Sequence, residues 1–442
     1  MQCTDRPGLW AASCCLALVS ACTEPSSLVE PVWVATVTPG TDTIVVPSHT
    51  QLSAFLTDAN GDRLTDRRVF WVSEDPRVAT VSPRGVVTGL TSGTVTITAT
   101  SEQVQGTAEI SVWDPLLATS VSASGEYSCA VDPQSRGFCW GGVATPVSGD
   151  IAFKTIVGLV DHTCGLDLAG HAYCWGDNWR GQLGDGTTTN RQAPTPVASG
   201  VYSELTGGRD FTCGTVPGEE PSCWGDGFGL LPRKTSYGFD RIFGGNYSHR
   251  CGLTSDGSAS CWGNNYHGQL GDGTFDYRDS PTPVAGDHLF VSMTLGGEHT
   301  CAITFAGSLY CWGNNEYGQV GDGTTVNRST PTPVATSMTF AVVTAGSGHT
   351  CAVTTDQKAH CWGWNRTGAV GDGTVIERHL PTAVSGALRF AALSAGGAHN
   401  CGLTDAAWVY CWGSNHGGQL GINSDVDWAE VPHPVLAYAE EW

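Results

Sequence analysis

Positive charge is scarce in this chain. Its 442 residues carry 21 Lys and Arg against 42 Asp and Glu, a net charge of -21. Such a surface repels nucleic-acid phosphates and anionic lipid headgroups, so nucleic acid is not an expected partner. Beyond the first 22 residues no apolar run is long enough to span a bilayer as a helix. The signatures G-x-S-x-G, H-E-x-x-H and G-x-x-x-x-G-K-[ST] are absent, so no catalytic and no cofactor-binding residue is assigned. The repeats contain no C-x-x-C, and their cysteine spacing of ten is not a zinc spacing, so no metal ligand is assigned either.

What the chain does have is cysteine in register. Seven pairs share that spacing: Cys129/Cys139, Cys164/Cys174, Cys213/Cys223, Cys251/Cys261, Cys301/Cys311, Cys351/Cys361 and Cys401/Cys411. Trp-Gly follows the second cysteine of each pair. Within Cys251-GLTSDGSAS-Cys261, a three-residue loop over Ser255–Gly257 closes a hairpin with Gly257 left-handed. Cys251 then opposes Cys261 across the ladder, at an alpha-carbon separation of about 4.5–5.5 Å that a disulfide bridges. The same arithmetic centres the second pair on Ala169 and the fifth on Ala306. Chain entropy assigns roughly 2.5–3 kcal/mol to a loop this short, less if the hairpin forms locally. Seven such bridges imply an oxidising compartment.

The other four cysteines, Cys3, Cys14, Cys15 and Cys22, all fall in the first 22 residues. Leu9–Ala21 has the length of a signal-peptide core. It ends in Leu18-Val-Ser-Ala-Cys22, which resembles a bacterial lipobox. The resemblance implies that residues 1–22 are a lipoprotein signal with Cys22 lipidated, followed by a linker over 23–30. Ordinary cleavage leaving a free Cys22 is the alternative. Thr23 replaces the usual acidic retention residue, which favours the outer membrane.

Residues 31–113 read as a β-sandwich of short alternating strands. The expected strands are Trp33–Thr38, Gln51–Thr57, Val69–Ser73, Val78–Val81, Val86–Gly89, Thr94–Thr100 and Thr107–Val112. Trp71, Asp75-Pro76, Val78-Ala-Thr-Val81, Gly85-Val-Val-Thr-Gly89 and Gly93 resemble the bacterial Ig-like group 2 family, whose members act as spacers or adhesion modules. Asp58-Ala-Asn-Gly-Asp62 is read as a turn over a calcium loop, because the downstream glutamate is missing.

From residue 118 to 437 the first cysteines recur at intervals of 35, 49, 38, 50, 50 and 50. A period near fifty with hairpins and no helical pattern predicts a β-propeller. Strands after the hairpin are expected near Thr382–Val384 and Phe390–Leu393, and Pro432–Ala437 as a last strand beside the segment after Leu116. In Cys301-AITFAGSLYCW, Ile303 and Leu309 share the disulfide face, while Ala302, Tyr310 and Trp312 face the other way. The segments Asn178-WRGQLGDGT, Asn265-YHGQLGDGT, Asn315-EYGQVGDGT, Asn365-RTGAVGDGT and Asn415-HGGQLGIN resemble the regulator of chromosome condensation repeat. The family implies a seven-bladed propeller. The fold class is therefore all-β, a seven-bladed propeller behind an Ig-like sandwich. The first and third repeats lack the loop, so the ring should be thinner there.

His162, His249, His299, His349 and His399 recur two residues before a cysteine, and Tyr127 and Phe211 take that place in the other two motifs. A position that accepts His, Tyr or Phe reads as core, with a metal ring as the alternative. Asp185, Asp272, Asp322 and Asp372 suit turns. Arg191, Arg278, Arg328 and Arg378 either pair with them or form an anion-binding ring. Trp179, Tyr266, His267, Arg366 and His416, in the variable loops, are the candidate ligand face, with a structural role as the alternative. The expected function is a non-enzymatic, lipid-anchored envelope scaffold that binds an extracellular protein or glycan. The alternatives are a polysaccharide hydrolase or lyase and, because one branch of the family resembles a β-lactamase inhibitor, a proteinaceous enzyme inhibitor. Guanine-nucleotide exchange follows from the family name alone and does not suit an exported chain.

Overall fold

The computed structural model describes residues 30–141, 144–245, 249–422 and 426–436. Cys22, the leader and all but the last residue of the 23–30 linker lie outside them. Every regular element among the described residues is a strand.

Three small sheets make the first unit. Val34–Thr38 pairs with Ser53–Thr57, and Gly93–Ser101 lies between Val104–Trp113 and Phe70–Ser73. Val37, Ile44, Leu52, Val87, Ile97 and Ile110 form its core. Thr41–Val45 is a strand missing from the sequence expectation; it runs parallel to Glu109–Trp113. Only Ile44 of its five residues is buried, so no apolar alternation marks it. At the Asp58 turn, Oδ1 of Asp58 accepts the N–H groups of Asn60 (2.8 Å) and Asp62 (2.9 Å), and Gly61 sits at φ +87°.

The second unit is seven four-stranded antiparallel sheets. The first strands of adjacent sheets touch one another in turn, and the circuit closes between Ser120–Ala123 and Phe390–Ala395. These are the inner strands of a closed seven-bladed propeller. In each blade the cysteine hairpin follows the inner strand, and an outer strand completes the sheet.

All seven expected pairs stand directly opposed in their ladders and are bridged. They are Cys129–Cys139, Cys164–Cys174, Cys213–Cys223, Cys251–Cys261, Cys301–Cys311, Cys351–Cys361 and Cys401–Cys411, with S–S separations of 1.95–2.08 Å. Their alpha carbons are 4.0–4.1 Å apart, closer than the 4.5–5.5 Å expected from the ladder alone. Thirteen of these cysteines are fully buried, and Cys139 is partly exposed. The outer strand beside Cys139 is only Thr145–Pro146, so less chain covers it. The turn residue after the midpoint is left-handed in six hairpins. It is Gly in three, but Ser135, Gln357 and Ala407 hold φ of +64°, +68° and +64° in the others. Because a side chain is strained there and glycine is not, Ala407→Gly is expected to raise stability by about 0.5–1 kcal/mol in chemical denaturation.

One expectation is corrected. Arg378–Ala383 pairs with its own hairpin, whereas Phe390–Ala395 pairs forward with His399–Thr404. A blade therefore straddles two sequence repeats, because the chain returns to the axis after each outer strand. Closure also differs in detail. The last outer strand is Trp428–Pro434, and Leu116 N–H donates to Val435 O at 2.8 Å beyond it. Ala437 lies outside the described residues.

The two faces of each hairpin go to different joints. The Cys301–Cys311 face, with Ile303 and Leu309, packs against Trp362 of the next blade, while Ala302 and Trp312 pack on Cys251–Cys261 of the preceding one. The other joints repeat this. Trp175 packs on Cys129 and Cys139, Trp224 on Cys164 and Cys174, and Trp262 on Cys213 and Cys223. Trp412 packs on Cys351 and Cys361, and Trp140 closes the circuit on Cys401 and Cys411.

The five histidines sit in these joints. His299 Nε2–H donates to Thr350 Oγ1 at 2.9 Å, and Thr350 donates in turn to Gln319 O at 2.8 Å. His162, His249 and His399 repeat the relay through Thr212, Thr300 and Ser128. His349 donates to Asn400 Oδ1 at 3.0 Å. The relay fixes the tautomer, so each buried Nδ1 is a bare acceptor with no partner among the described residues. Burial holds His162, His249, His299 and His399 down to about 3, and His349 to about 4. Backbone must pass close to the rings. A β-carbon on Gly296 or Gly346 would stand 2.3 or 2.2 Å from a histidine Cε1.

Candidate functional site

At one end of the ring, the turn before each hairpin meets the loop that follows it. Asn314 N–H donates to Glu298 O at 2.8 Å, and Trp364 N–H to Gly348 O at 2.9 Å. The loops are rigid. Asn315 is fully buried; its Oδ1 accepts Val320 N–H and its Nδ2 donates to Thr324 O and Val326 O. Asp322 accepts Thr324 N–H at 2.9 Å and Arg328 Nε–H at 2.7 Å. Burial alone would raise the Asp322 carboxyl; the Thr324 hydrogen bonds and the Arg328 charge together bring it below the usual range. Arg191, Arg278 and Arg378 make the same local pair with Asp185, Asp272 and Asp372. Among the described residues no three His, Cys, Asp or Glu converge as metal ligands.

The residue before the recurrent His, Tyr or Phe is Glu126, Asp161, Asp210 and Glu298 in blades one, two, three and five, but Gly348 and Ala398 in blades six and seven. Those missing side chains leave a cup of about 390 Å³, bordered by Glu126, Glu298, Glu316, Tyr317 and Trp364. A β-carbon on Gly348 would stand 3.4 Å from Trp364 Cβ and 3.6 Å from Tyr317 Cδ2, so both aromatics flank the cleared space. Its floor is a polar network. Glu298 Oε2 accepts Asn314 Nδ2–H at 3.1 Å, and Asn314 Oδ1 accepts Gln319 Nε2–H at 3.1 Å. Three carboxylates, two aromatics and fixed amides suit a ligand with hydroxyl or basic groups and an apolar face. The bridged cysteines lie between the blades and do not border this cup.

The five candidate ligand-face residues occupy two adjacent loop positions on four blades, and the structure does not gather them into one pocket. Trp179 and Tyr266 are exposed, with the Arg180 guanidinium 4.5 Å from the Trp179 ring centroid. Arg366 Nε lies 3.5 Å from Glu377, and His416 Nδ1 3.5 Å from Asp427. His267 supports the cup from outside: its Nε2 is 3.3 Å from Glu298 and its Nδ1 3.2 Å from Asn327. It lines a neighbouring hollow with Phe275 and Val326. The cup's own aromatics were missed. Tyr317 is the repeat counterpart of His267, and Trp364 stands where other blades carry Asp177, Asp226 or Asn314. A tryptophan in a small polar position is the signal that would have found it.

The regulator of chromosome condensation (RCC1) repeat matches residues 169–214, 256–303, 306–353 and 356–403. A second description of that repeat matches 242–269, 290–319 and 341–369. The bacterial Ig-like domain (group 2) matches residues 31–112. Prp20p from Saccharomyces cerevisiae, whose structure was studied with its binding to Gsp1p and histones, has a TM-score of 0.56 at 21% identity, over 63% of this chain and 80% of that one. Yeast RCC1 (Prp20) bound by Kap60 has a TM-score of 0.60 at 20% identity, over 69% and 84%. These identities speak for the fold alone. A 3-O-alpha-D-galactosyl-alpha-L-arabinofuranosidase of Bifidobacterium longum subsp. longum is 58% identical over 40 residues, a stretch that spans 4% of that enzyme's length.

Proposed function

Because the chain is a propeller of regulator of chromosome condensation repeats behind a bacterial Ig-like group 2 domain, we propose that it acts as an exported, non-enzymatic scaffold that binds a glycan in the cup beside Trp364 and Tyr317. The cup carries the reading: Gly348 and Ala398 clear a space that rigid loops frame with two aromatic rings, carboxylates and amides. Seven disulfides belong to an oxidising compartment. With the apolar leader and Cys22, they support a lipid-anchored envelope protein in the outer membrane, the Ig-like unit serving as spacer. A glycan array probed with the mature chain should give ligands whose affinity falls at least about tenfold in Trp364→Ala, through loss of the stacking surface. Array binding that is indifferent to both Trp364→Ala and Tyr317→Ala overturns the reading.

A second reading has one observation in its favour. Glu126, Glu298 and Glu316 border the same cup, and paired carboxylates are what glycoside hydrolysis requires. Polysaccharide cleavage by the purified chain, abolished in Glu298→Gln, would replace the scaffold with an enzyme. Prp20p binds proteins, and a basic protein surface is the third occupant that this acidic end would accept.

A further inference from the structure

Four joints are covered in the same way by the loop that follows the hairpin. In the joint between blades four and five, Gln269 O accepts Trp312 Nε1–H at 3.0 Å. Four residues later, Gly273 N–H donates to Ser329 O of the next outer strand at 2.8 Å. The next joint uses Gln319 O with Trp362 (2.9 Å) and Gly323 N–H with His379 O (3.0 Å). The joints closed by Trp224 and Trp412 do likewise, through Gln182 with Gly186 and Ala369 with Gly373. A peptide turn thus supplies an acceptor and then a donor to two fixed main-chain and indole partners.

The joint between blades three and four has no such loop, because Gly225 leads almost directly into Gly229–Lys234. Trp262 is only 5% exposed and borders the space that the loop fills in the other joints, so no loop carbonyl stands over its Nε1–H. Asp279, the counterpart of Ser329 and His379, receives no glycine N–H from a covering loop. The vacated space is a cavity of about 240 Å³ bordered by Asp210, Asp226, Arg250, Trp262, Tyr277 and Asp279. Its chemistry is altered to match. Phe211 replaces the joint histidine and Arg250 the threonine, and the guanidinium lies 4.6 Å from the Phe211 ring centroid while donating to Asp226 O at 3.0 Å. Asp210 Oδ1 is buried without a partner among the described residues, and burial raises its carboxyl above the usual range.

We propose that this joint is a docking socket for a glycine-containing turn of a partner polypeptide. The turn's carbonyl accepts Trp262 Nε1–H, its N–H four residues on meets Asp279 O, and a basic side chain faces Asp210, since Asp226 is already paired with Arg250 at 3.3 Å. The site is separate from the cup and does not depend on what the cup binds. The probe is a labelled peptide with the sequence of residues 265–278, the turn that fills the adjoining joint, titrated by fluorescence anisotropy against the full disulfide-bonded chain. Saturable binding is expected, with Asp276→Lys in the peptide tightening it. Trp262→Phe keeps the ring stacked on Phe239, whose centroid is 6.0 Å away, but removes the donor; binding should weaken about threefold to tenfold. A chain whose residues 225–228 are replaced by residues 263–277 keeps the outer strand Gly229–Lys234, fills its own socket and should not bind. Absence of binding at millimolar peptide, or equal binding to Trp262→Phe, overturns the proposal, as does binding retained by the filled chain.

Discussion

Acidification below pH 6.5 is expected to unfold the propeller with an uptake approaching five protons, well before most carboxylates titrate. The groups responsible are His162, His249, His299, His349 and His399, whose folded values lie at about 3 to 4 against an ordinary 6.5. The cause is burial, reinforced by a bare Nδ1 that has no acceptor to offer an added proton. The sign follows from linkage. These bases stay neutral in the fold while the unfolded chain binds protons below 6.5, so stability is intact above that pH and declines until the folded values are reached. Each histidine contributes a slope of about 1.4 kcal/mol per pH unit, so five together approach about 7 kcal/mol per unit. Against a typical stability of about 5–15 kcal/mol, one to two units suffice. Asp185, Asp272, Asp322 and Asp372 add to the loss only below their unfolded value of 3.8. Chemical denaturation from pH 7.5 to 4.5 measures the slope. His299→Gln, which keeps a donor toward Thr350, should remove about one proton from it. Stability that is flat across that range would refute the buried neutral relay.

Much of this was readable because the residues that fix register are covalent partners. A spacing of ten with a loop at its midpoint leaves one pairing that brings both cysteines together, and Ile303 and Leu309 then separate from Ala302 and Trp312 without further information. The loop motif was readable for a related reason: Asn315, Asp322, Thr324 and Arg328 satisfy one another within one short loop, residues 315–328. Blade membership was not. Phe390–Ala395 is followed closely by His399, but nothing local says whether it pairs backward or forward. Thr41–Val45 escaped because it buries one side chain. The cup escaped because Gly348 and Ala398 create it by what they lack, and the socket at Trp262 because it appears only against the filled joints. Cavities made by omission carry no motif.

The ring's seam offers the second large effect. Trp140 comes from the first blade and caps the last, with Nε1–H donating to Gln419 O at 3.0 Å across a separation of 279 residues. Ser128 Oγ donates to the same carbonyl at 3.1 Å and receives the His399 proton at 2.8 Å. Trp140→Ala removes the ring packed on Cys401, Cys411, Leu420 and Val435, and is expected to cost about 3–5 kcal/mol. Trp362→Ala removes the same contacts between blades five and six, so the equilibrium loss should be similar. The two differ in what opens. Blades five and six are joined directly by the chain, so a loosened joint there remains tethered. The seam is held by non-covalent contacts alone, among them Trp140, Ser128, Ala123 N–H on Ser394 Oγ at 2.9 Å, Gly397 N–H on Ser124 O at 2.9 Å and Leu116 N–H on Val435 O at 2.8 Å. Hydrogen exchange should therefore rise in Ser120–Ala123 and Phe390–Ala395 for Trp140→Ala, and stay near the wild-type pattern there for Trp362→Ala. Trp140→Phe, which keeps most of the packing, should cost only about 1 kcal/mol for the lost donor, since Ser128 still satisfies Gln419 O. Equal exchange patterns in the two alanine variants would mean that the ring opens anywhere with the same ease, and that closure between the first and last blades is no weaker than any other joint.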